Sequence, residues 1–77
     1  MAKYRVSIVN EHFSASEEQE SPDIVKAWQK AIRSAITIAA DQVSHGNAFF
    51  GAEVTLEQGR KRIGRYVVSV AAAPLKD

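Results

Sequence analysis

The chain has 77 residues, too few for two separate cores, because half that length buries too small a share of its surface to fold alone. It has no cysteine, which excludes disulfides and thiolate metal sites, and ten Lys and Arg against nine Asp and Glu leave +1, a balance that selects no partner. No uncharged run approaches the roughly 18 apolar residues of a membrane span, so no membrane partner is expected.

In chain order, Tyr4, Val6 and Ile8 share one parity, the pattern of a strand with one buried face. Asn10 to Ser21 is polar, and residues 11–23 carry Glu11, Glu17, Glu18, Glu20 and Asp23 with no Lys or Arg. This stretch reads as an acidic loop, with Phe13 either anchoring it or opening a short strand. A long helix follows. Ser21 is the N-cap candidate, Pro22 suits the first helical position, and Asp23 suits the positive end of the helix dipole. His45-Gly46 closes it, with Gly46 free to take the left-handed cap, so the helix is expected over 22–45.

At 100° per residue, Ile24, Trp28, Ala31, Ala35 and Ala39 define one helix face. Ile32, Val25, Val43 and Ile36 widen it on one side, and Ala27 and Ile38 on the other, while Lys26, Lys30, Arg33, Ser34, Thr37 and Asp41 fill the opposite arc. The apolar arc spans roughly 180°, against the roughly 100° that one sheet covers. Beyond the helix, Phe49-Phe50 enters a strand in which Ala52, Val54 and Leu56 face one way and Glu53, Thr55 and Glu57 the other. Gln58 to Lys61 forms a turn. Tyr66, Val68 and Val70 then face inward, Ile63 has the wrong parity for that set, and a bulge at Gly64 would let both Ile63 and Tyr66 reach the core. Ala71 to Asp77 is a tail, with Pro74 ending the ladder.

These elements predict one α+β domain over 1–77: strand, helix, strand, strand, with a three-stranded sheet carrying the long amphipathic helix on one face. The first connection would be a right-handed crossover if its flanking strands are parallel. Residues 17–70 also resemble a family of short bacterial proteins of unknown function. The resemblance lies in Glu20-Ser21-Pro22-Asp23, the Ala-rich helix, and Val54-Thr55-Leu56-Glu57-Gln58-Gly59-Arg60 in the hairpin. Ser21 stands in place of a leucine, Leu56 in place of the first turn acid, and the first strand lacks the usual aromatic run and Asp-Gly turn. The resemblance implies the same helix-on-sheet fold and a bacterial origin, and it carries no known activity.

Chemistry-bearing patterns are sparse. Asp41 and His45 stand one helical turn apart, a pairing better explained by a cation at the helix C-terminus than by a metal, which needs three or four converging ligands. No serine sits in a nucleophile elbow and no glycine loop precedes a helix to cradle phosphate, so no catalysis and no cofactor are expected. Arg60, Lys61, Arg62 and Arg65 crowd one hairpin turn, which suggests a nucleic-acid-binding module as the alternative reading. The leading expectation is a non-catalytic homodimer that covers Val25, Ile36, Ile38 and Val43 of the over-wide helix face. Met1 to Arg5 leads into a single apolar strand with no long apolar leader segment, so a cytoplasmic location is expected.

Overall fold

A computed structural model describes residues 1–76. Two hairpins bracket one helix: β1 (Ala2–Val9), β2 (Ser14–Ser21), α1 (Ile24–Ser44), β3 (Phe49–Gln58) and β4 (Lys61–Ala71). The four strands form one antiparallel sheet in the order β2-β1-β3-β4. The α+β expectation holds, but the sheet has four strands where three were expected, and the acidic segment is the additional one. β1 runs antiparallel to β3, so there is no parallel crossover.

Residues 14–21 form a strand despite lacking an apolar period, because the backbone ladder with β1, from Ala2 opposite Ser21 to Val9 opposite Ser14, holds them in place. As an edge strand β2 buries only Ser21, so polar side chains suffice. The connection is set by Asn10, whose Oδ1 accepts hydrogen bonds from the backbone N–H of His12 at 2.8 Å and of Phe13 at 3.0 Å, an Asx turn. Phe13 is half-buried just before β2, its ring centroid 6.0 Å from that of Phe50.

The helix begins later than expected. Asp23, not Ser21, is the N-cap, its Oδ1 accepting from the Lys26 N–H at 2.8 Å. Ser21 is committed to the end of β2, where it is buried and its Oγ has no hydrogen-bond partner. At the other end His45 is the C-cap, and Gly46 follows at φ 110°, the left-handed region that glycine enters without strain.

Ala27, Ala31, Ala35 and Ala39 form a seam of zero exposure along the helix. Their short side chains let the helix axis lie close to the sheet, against Tyr4, Val6 and Ile8 of β1 and Phe50, Ala52, Val54 and Leu56 of β3. Burying each of Val54 and Leu56 contributes about 1.5–3 kcal/mol. The helix lies chiefly over β3 and β4 rather than over the middle of the sheet. The ladder between those strands slips by one residue: Leu56 faces Gly64 and Glu57 faces Arg62, leaving Ile63 as the bulged residue, half-buried against the core. A side chain at Gly64 would place its Cβ 3.2 Å from Cζ2 of Trp28, so glycine is what lets that indole lie down on the sheet. The Tyr66 ring packs beside it, the centroids 4.3 Å apart. Ala71, expected to open the tail, instead ends β4 opposite Phe49, and residues 72–76 have no regular structure; the last residue of the expected tail, Asp77, lies outside the described residues.

Candidate interaction surface

The four helix residues expected to be left wet divide into two groups. Val25 is 64% and Ile36 48% exposed. Ile38 and Val43 are half-buried and packed against the core. Ile38 sits on the β2 side of the helix, where, with Val6, Ile8 and Ala15, it lines an open groove of about 400 Å³. The helix sits off-centre, so Ile38 reaches core contacts that a narrower sheet would not have provided. The wet flank is therefore the one facing β4, where Ile36, half-buried Ile32 and Gln29 border a shallow depression.

The sequence did not single out Tyr66 for this surface. Its parity points it at the helix, opposite Val54, yet it is 47% exposed because β4 is an edge strand with nothing beyond it. Tyr66 packs beside Trp28 at the free edge of β4, and Val25 and Ile36 are exposed on the helix. An inward-facing parity on the last strand of the chain was the available signal.

The four turn cations are not equivalent. Arg65 donates from Nη1 to Glu53 Oε1 at 3.0 Å, and Arg62 faces Glu57 across the ladder, while Arg60 and Lys61 stand exposed at the turn. Two of the four thus stand beside carboxylates of β3 on the sheet face away from the helix. The same face carries Arg5, which reaches Glu18 at 3.4 Å and Ser16 at 3.3 Å on β2. Of the helix cations, Lys30 donates from Nζ to the Glu20 carbonyl at 2.9 Å and ties the helix to β2. Alternating signs of this kind leave no continuous basic track for a phosphate backbone.

His45 lies at the helix C-terminus, 3.4 Å from Asp41 Oδ1, with its Nδ1 2.7 Å from the Asp41 carbonyl. Among the described residues, no three His, Cys, Asp or Glu side chains gather in a way that would hold a metal ion. A second open groove, about 540 Å³, lies between the β1–β2 turn and the α1–β3 connection, lined by Phe13, Gln42, Asn47 and Phe49 among others. Among the described residues, no helix is long and apolar enough to cross a membrane. Comparison with known families, curated proteins and solved structures gave no match.

Proposed function

We propose that this protein is a non-catalytic interaction domain that self-associates through its helix as a homodimer. The observation that carries this reading is the exposure of Val25 and Ile36 on one helix flank, beside half-exposed Tyr66. Full burial of each such side chain is worth about 1.5–3 kcal/mol, a large share of the stability of a small domain. The surface of the chain points the same way. It exposes 5613 Å², whereas a monomer of 8.4 kDa ordinarily exposes about 4,600 Å². The excess of roughly 1,000 Å² includes the exposed residues 72–76 as well as the helix flank.

Multi-angle light scattering at micromolar protein tests this reading: a mass of twice 8.4 kDa is expected. Nucleic-acid binding through Arg60, Lys61, Arg62 and Arg65 remains the competing reading. It has its own readout, a fluorescent duplex or single strand titrated with protein at two salt concentrations. No salt-sensitive binding at low micromolar protein is expected, and a steep loss of affinity on adding salt would favour the competing reading.

A further inference from the structure

We propose that the second copy docks on the free edge of β4, joining two four-stranded sheets into one continuous antiparallel sheet with both helices on the same face. This rests on the self-association reading and assigns it a surface. The two edges of the sheet differ. β2 carries Glu17, Glu18 and Glu20 without a Lys or Arg, so two copies of that edge repel. β4 has its bulge at Ile63 and its cations at Lys61, Arg62 and Arg65, all in its first half. Its second half, Tyr66–Ala71, has no charge, no proline and three valines, the unguarded kind of edge that adds a strand.

The helix is placed to meet its copy across a twofold axis beside β4. Neighbouring strands lie about 4.8 Å apart, so a twofold axis beside β4 stands about 2.4 Å from that strand and about 7 Å from β3. A helix above the interval between β3 and β4 then sits about 5 Å from the axis. Two such helices would be about 10 Å apart, at the 8–10 Å separation of packed helices. Trp28 stands over Gly64 and Tyr66, and the helix runs toward the end of the sheet where Phe49 pairs with Ala71. Two turns beyond Trp28, about 12 Å of helix rise brings Ile36 beside Val68, at 3.4 Å per strand residue. An axis near Val68 therefore brings the two Ile36 side chains together. It also places Arg65 opposite Ala71 of the second copy and keeps like charges apart.

The rival arrangement sets acidic β2 of one copy against basic β4 of the next. It gains charge attraction but spaces the helices by four strands, about 19 Å, and leaves Ile36 wet. It is also head-to-tail and does not close into a dimer.

The chain has no cysteine, so single substitutions report cleanly. Val67→Cys, Ser69→Cys and Ala71→Cys place thiols on the exposed face of β4, and Ser16→Cys places one on β2 as a control. Air oxidation with copper-phenanthroline at micromolar protein is expected to cross-link Val67→Cys or Ser69→Cys, alone or mixed with each other, into a covalent dimer. The Ser16→Cys protein should cross-link at least tenfold more slowly. Adding Ile36→Lys should slow the β4 cross-link at least tenfold while the far-ultraviolet circular dichroism is retained. A dimeric mass without a β4 cross-link would overturn the β4 edge and leave self-association standing, as would cross-linking confined to mixtures of Ser16→Cys with Ser69→Cys. A monomeric mass for the unmodified chain would overturn both.

Discussion

Gly64 shows how a single missing side chain positions an element. With a Cβ there, Trp28 would have to move, because its Cζ2 lies 3.2 Å from the position that atom would take. Gly64→Val is expected to cost about 1–3 kcal/mol by overpacking and to lower the melting temperature by several degrees; an unchanged melt would contradict the account. The helix start yields a sharper comparison. Asp23→Ala removes the side chain that accepts from the Lys26 N–H and should cost about 1 kcal/mol in urea unfolding. Ser21→Ala should cost less than half as much, because its buried hydroxyl has no partner to lose. A larger loss for Ser21→Ala would restore it as the cap. The bulge was legible in the sequence because Ile63 and Tyr66 differ in parity while both need burial. The cap was misplaced because Ser21 and Asp23 are both good capping residues, and only the length of β2 decides between them.

At the scale of elements, the alanine seam sets the distance between helix and sheet. Ala35→Leu is expected to push the helix off β3 and to cost about 1–3 kcal/mol in thermal or urea unfolding, whereas the same change at exposed Ala40 should cost little. β1, α1 and β3 were legible because each has an apolar set at the period of its own backbone, such as Ala52, Val54 and Leu56. β2 was not, because its inward-facing Ala15 and Glu17 are exposed, and half-buried Gln19 meets the helix through a hydrogen bond from its Nε2 to the Ala27 carbonyl at 3.1 Å rather than through apolar packing. Its place comes from hydrogen bonds to β1, from the Asn10 turn and from the bonds that Lys30 and the Ala27 carbonyl make with Glu20 and Gln19, none of which leaves an apolar period in the sequence. Hydrogen exchange should register that difference, with β2 amides exchanging at least tenfold faster than those of central β3. Equal protection would show that the bonds from Gln19 and Lys30 between β2 and the helix hold the edge strand as firmly as the core holds β3.

The whole molecule is a thin slab, 51 × 22 × 17 Å, with a radius of gyration of 14.0 Å, against about 11.5 Å for a compact chain of this length. One helix cannot cover a four-stranded sheet, and its displacement toward β4 leaves a groove over β2 on one side and the Val25–Ile36 flank wet on the other. The over-wide apolar arc was legible from the helix alone, and it identified Val25 and Ile36 correctly as exposed. Ile38, on the other flank, is half-buried because the displacement of the helix, which sequence periodicity does not encode, decides which flank the sheet covers, whereas Val43 lies on the same side as Val25 and Ile36 and is nonetheless half-buried against the core. The central claim is that this flank is the contact surface between two copies of the chain. Sedimentation equilibrium of the unmodified chain and of Ile36→Lys, from 1 to 100 micromolar, tests it most directly. The unmodified chain is expected at twice 8.4 kDa and the variant at 8.4 kDa. A mass of 8.4 kDa for both across that range, or twice that for both, would contradict it.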